Sequence, residues 1–123
     1  MDFTNSKKYQ ENPILRETFE FAVLIVKYAE ILEGNRKYVI AKQVIRSGTS
    51  VGANVKEAQN AESKADFIHK LKIALKEADE TEYWLFICKN IDNYPDPTAL
   101  IEKLNGIIKI LNKIISTSKN NVR

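Results

Sequence analysis

With 123 residues, one cysteine, three prolines and four glycines, the chain has the length of one domain and cannot form an internal disulfide. It is 44% hydrophobic and 28% charged, a composition that points to a folded, soluble protein and away from disordered or membrane-embedded chains. The formal net charge of +3 permits an acidic partner without requiring one, and the single thiol suits a reducing, cytoplasmic compartment.

The N-terminal lead, MDFTNSKKYQENP, lacks the apolar core of a secretion signal and is expected to be flexible over residues 1–12. The run Phe21 to Val26 has six apolar residues, far short of the roughly 20 needed to cross a bilayer. Asn12-Pro13 offers an N-cap followed by a residue suited to the first helical position. Leu15, Phe19, Ala22, Val26, Ala29 and Leu32 then recur at three- and four-residue steps, which predicts a helix from Pro13 to Glu33. Gly34-Asn35 is expected to end it as a left-handed cap. A second apolar set, Phe21, Leu24, Ile25, Tyr28 and Ile31, widens the stripe beyond the needs of one bundle seam. Two explanations stay open: a broad core face, or a second surface buried against another subunit.

The segment Tyr38 to Gln59 is harder to place. Two glycines cost about 1 kcal/mol each inside a helix, and Tyr38-Val39-Ile40 would suit a strand. Yet Ile40, Val44, Ser47, Val51, Asn54 and Ala58 fall on one side at helical spacing. A lone strand would also have no partner anywhere in the chain. The small residues do not make a phosphate loop, because no Lys follows Gly52 and no G-x-G-x-x-G is present. Gly48 and Gly52, four residues apart, instead share a face and let another backbone come close.

Ser63 and Asp66 open the third helix as a capping pair. Phe67, Leu71, Ala74, Ala78, Thr81, Leu85 and Cys88 form one face of it, through Asn90. Asn93 to Pro97 is the next break, with Asp96 as cap. The last helix carries Leu100, Leu104, Ile107, Ile108, Leu111, Ile114 and Ile115, then fades from Ser116, with residues 117–123 expected to be flexible. Long amphipathic helices joined by short connections make antiparallel neighbours. The expected fold is therefore all-α: an up-down-up-down antiparallel four-helix bundle forming a single domain over residues 1–123.

The stretch RSGTSVGANVKEA, Arg46 to Ala58, resembles the R-S-x-x-S-[IV]-x-A-N-[IV]-x-E-[GA] signature of four-helix-bundle proteins encoded in 23S ribosomal-RNA intervening sequences. DFIHKLKIAL, from Asp66 to Leu75, with Glu80-Thr81-Glu82, is similar to that family's second block. Ala58 stands where many relatives have Gly, and Glu77-Ala78 where Ser and an apolar residue are usual. The resemblance implies homo-oligomers, typically five-fold rings. It also implies kinship in fold to the accessory protein of diversity-generating retroelements, which binds nucleic acid and a reverse transcriptase through a basic surface. Most of the family has no established activity.

Arg46, Asn54, Glu57, Glu80 and Glu82 are the polar residues at signature positions. They are expected to form a structural network that fixes helix register; the other reading is a site for a ligand or a partner's basic group. A di-metal site needs two Glu-x-x-His motifs, whereas Asp66-x-x-His69 stands alone and Asp66 already serves as a cap. Cys88 on an apolar face is expected to be buried and inert, so neither catalysis nor a cofactor is expected. Charge is unevenly distributed: Arg36, Lys37, Lys42, Arg46 and Lys56 come without an intervening acid, and Lys103, Lys109 and Lys113 recur along the last helix. On a monomer this is ordinary solvated charge; repeated around a ring, it becomes a field that phosphate backbones would feel. No stacking platform of exposed aromatics stands out, which argues against reading of single strands. The expected function is non-enzymatic: a homo-oligomer that binds RNA or DNA backbone through helices 2 and 4. A protein-binding scaffold with no nucleic-acid role is the alternative.

Overall fold

A computed structural model describes residues 7–120. Regular structure among the described residues is helical: α1 (Lys7–Gln10), α2 (Pro13–Gly34), α3 (Tyr38–Ala58), α4 (Lys64–Asn90) and α5 (Thr98–Asn120). α1 is one turn, and its buried Tyr9 meets Phe19 edge-on at 5.5 Å between ring centroids. Part of the N-terminal lead thus packs on α2. The outermost residues expected to be flexible, 1–6 and 121–123, lie outside the described residues. α5 runs through Asn120, past Ser116, where the sequence has it fade.

α2 to α5 form one antiparallel four-helix bundle. Each packs on its neighbours in the chain, and α5 closes the circle against α2. α2 and α4 therefore stand on one diagonal, α3 and α5 on the other. Polar contacts at the ends hold the register. Asn12 Nδ2 donates to Gln59 Oε1 at 2.9 Å, the Tyr28 hydroxyl donates to the Pro95 carbonyl at 2.6 Å, and Lys89 Nζ donates to Thr98 Oγ1 at 2.7 Å. Phe21, Ile25, Leu32, Val44, Val51, Leu71, Leu85, Leu104 and Leu111 are fully enclosed between the helices. Burial of each such side chain stabilises the fold by about 1.5–3 kcal/mol.

α3 is a continuous helix, glycines included. The hydroxyls of Ser47, Thr49 and Ser50 bond back to the carbonyls of Gln43, Ile45 and Arg46, so these residues are satisfied without opening a loop. Gly48 lies so near Ile25 that a Cβ there would meet Ile25 Cγ2 at 2.7 Å. A Cβ on Gly52 would stand 3.1 Å from the Thr18 carbonyl oxygen. The glycines weaken α3 locally and bring α2 close.

The end of α2 corrects the expected cap. Gly34 is the last helical residue and Asn35 has φ −97°; the left-handed residue is Arg36, at φ 64°. The Arg36 N–H donates to the Glu33 carbonyl at 2.9 Å and the Lys37 N–H to the Leu32 carbonyl at 2.8 Å. This pair defines a Schellman turn, whose left-handed position falls two residues after the glycine. The wide apolar stripe of α2 divides: Phe21, Ile25 and Tyr28 enter the core, whereas Leu24 and Ile31, joined by Val23, stay exposed.

Candidate interaction surfaces

The antiparallel pairing of α3 with α4 sets Arg46 opposite a row of acids. Its guanidinium lies 3.4 Å from Glu77 Oε1 and donates to Glu80 Oε2, while its Nε and Nη2 reach Gln43 Oε1 at 3.4 Å. Glu80 also accepts from the Trp84 indole N–H at 3.0 Å. The Arg46 side chain is 46% exposed, so this is a surface network, where each pair contributes only about 0–1 kcal/mol. The other residues expected in the network lie elsewhere. Asn54 donates to the Ser50 carbonyl of its own helix at 2.9 Å, and Glu57 pairs with Lys70 at 3.3 Å. Glu82 sits about 200° around the helix from Glu80 and faces away from α3. Gln43, Glu77 and Trp84 were the members missed; their three- and four-residue spacing from Arg46 and Glu80 was the available signal.

The basic residues do not make one surface. α3 and α5 are diagonal, so Lys42 and Lys56 stand on a helix that does not neighbour the one carrying Lys109 and Lys113, and Arg36 and Lys37 lie in the turn before α3. Lys103 is held by Glu17 at 3.1 Å and Glu20 at 3.6 Å, which neutralises it. Lys37 lies over the Tyr94 ring, 5.3 Å from its centroid. Arg36 and Lys42 are exposed, and among the described residues neither has an acidic partner.

Between the α2–α3 turn and α4 lies a groove of about 410 Å³, lined by Arg36, Lys37, Tyr38, Gln43, Trp84 and Tyr94 along with apolar Val39 and Ile40. Tyr38 is 62% exposed, and Trp84 and Tyr94 are half-buried. Residues 38, 84 and 94 are remote in sequence and line one groove only in the fold, Tyr38 being the exposed one of the three. The first turn of α3 beside them has neither an acidic residue nor a side-chain cap.

Apolar surface is left open on two other faces. Val23, Leu24 and Ile31 are 39–52% exposed on α2, and Tyr83 and Phe86 are 62% and 43% exposed on α4. Cys88 is buried, and that burial raises its thiol pKa. Asp66 accepts from the Glu62 N–H while Ser63 caps the Asp66 N–H, completing a reciprocal cap. Among the described residues no three His, Cys, Asp or Glu side chains gather as a metal site. No helix among them is long and apolar enough to cross a membrane.

Fold and surfaces together define a single-domain helical bundle whose distinctive features, among the described residues, are exposed faces. The sequence profile of the 23S rRNA-intervening sequence protein family matches residues 10–113, and the chain belongs to that family. Among solved structures it is similar to a protein of unknown function from the S23 ribosomal protein family of Bacteroides thetaiotaomicron. The two share 44% identity at a TM-score of 0.79, over 83% of this chain and 97% of that one. No curated protein matches the chain.

Proposed function

We propose that the protein acts by binding and not by catalysis, as a cytoplasmic homo-oligomer whose protomers join through unlike faces. The observation that carries this reading is the pair of exposed apolar faces on diagonal helices, Val23, Leu24 and Ile31 on α2 and Tyr83 and Phe86 on α4. Outward faces of diagonal helices look in opposite directions. Contact between the α2 face of one copy and the α4 face of the next is head-to-tail, and such contacts make a ring where the rotation from copy to copy closes and an open filament where it does not. Five-fold closure is the size the family resemblance implies. Light scattering tests this: a particle of five protomer masses is expected, and a monomer at micromolar concentration would overturn it.

A second observation favours nucleic acid as the ligand. Arg36 and Lys42 carry charges with no acidic partner among the described residues, and a ring would repeat them around its axis. Backbone binding of this kind weakens steeply as salt rises. A gel-shift titration at two salt concentrations checks it. Binding at low salt that fades at high salt is expected; no binding at low salt leaves the protein-binding scaffold.

A further inference from the structure

We infer that the groove at the α2–α3 corner takes one unpaired nucleotide of a single-stranded nucleic acid, with its base on the aromatic wall and its phosphate at the Arg36 rim. This inference rests on the nucleic-acid reading above and narrows it to a strand class and a place.

Several features of the groove fit such an occupant. Its lining holds three aromatic side chains, the exposed Tyr38 and the half-buried Trp84 and Tyr94, the last with Lys37 over its ring. Its rim is cationic, with Arg36 and Lys37 adjacent, and no carboxylate lines it. Gln43 has its carbonyl oxygen engaged by Arg46, which leaves its NH₂ as a donor for the edge of a base. The volume of about 410 Å³ lies within the roughly 300–1,000 Å³ of sites for one small ligand.

The strand class follows from the aromatic wall. A duplex keeps its bases stacked on one another and offers this surface only phosphates. An unpaired base has a free π-face, and stacking tolerates any base. An acidic peptide would satisfy the cations but leave the exposed Tyr38 ring without a stacking partner.

Trp84 is the sole tryptophan of the chain and lines the groove, so its fluorescence responds to what binds there. The full chain is titrated at low salt with a short oligothymidylate, a duplex of equal length, and poly-glutamate. The single strand is expected to bind and quench Trp84, and the duplex to bind without quenching. Tyr38→Ala, at an exposed position, is expected to weaken the single strand roughly tenfold, the scale of losing one stacked base, and to leave duplex binding unchanged. Strand and duplex binding alike, without quenching or without response to Tyr38→Ala, would overturn the groove and leave backbone binding standing. Binding of neither would overturn both. Equal quenching by poly-glutamate would assign the groove to acidic peptides. That result would also overturn the inference.

Discussion

Replacing Gly48 with alanine sets two opposed effects against each other. Alanine is favoured over glycine in a helix interior by about 1 kcal/mol. Against this, the new Cβ would meet Ile25 Cγ2 at 2.7 Å and Cγ1 at 2.9 Å. Both atoms are bonded to the β-carbon of a fully buried, stiff side chain, so they cannot swing aside, and α2 and α3 must part. Overpacking costs about 1–3 kcal/mol, and this contact belongs to the upper part of that range. The expected net loss is about 1–2 kcal/mol, a fall in Tm of roughly 4–8 °C for a chain of this length. Gly106→Ala is the control. Gly106 lies within α5 with no atom within 4 Å of its added Cβ, so the same exchange should raise stability by about 1 kcal/mol. Calorimetry or urea unfolding measures both. A Gly48→Ala protein stabilised as much as Gly106→Ala would refute close packing of α3 on α2.

Other perturbations have opposite or pH-dependent signs. Arg36→Gly removes a left-handed non-glycine residue and should stabilise by about 1 kcal/mol in urea unfolding; a loss would mean that the turn depends on the arginine. Glu80→Gln takes the charge from the acid between Arg46 and Trp84 and should destabilise by about 0.5–1 kcal/mol, less at high salt; an unchanged melting temperature would show the network to be inert. Burial raises the pKa of both Tyr28 and Cys88 above their ordinary values. Their contribution to stability is complete below the thiol's ordinary value of 9.0 and is lost as pH climbs from there toward the raised folded values. Denaturant midpoints should therefore fall above pH 9, and Cys88→Ala should reduce that slope; a midpoint flat to pH 11 would contradict the burial of these groups.

Features governed by short-range spacing were legible in the sequence. The Ser63–Asp66 cap and the repeat Leu71, Ala74, Ala78 and Leu85 place α4 without reference to the rest of the chain. α3 needed context, because its glycines and β-branched residues argue against a helix until the absence of a partner strand is weighed. Rotation about the helix axes was not legible. Glu80 and Glu82 look like a pair in sequence, but only the first faces Arg46, and Glu77 one turn earlier shares that side. Lys103 reads as a free cation until the fold sets it beside Glu17, 86 residues away. The groove draws on residues 36–43, 84 and 94, so no local pattern announces it. The left-handed conformation of Arg36 was not legible because turn geometry, and not residue preference, selects that position.

Assembly through unlike faces has a signature that a symmetric dimer cannot give. Leu24→Glu spoils only the α2 face and Phe86→Glu only the α4 face, both at exposed positions that leave the core intact. Light scattering on each variant alone, then on an equal mixture, is the direct measurement. Each alone should be monomeric, and the mixture should form one-to-one dimers through its remaining sound pair of faces. A variant that keeps the wild-type mass, or a mixture that stays monomeric, would contradict head-to-tail assembly.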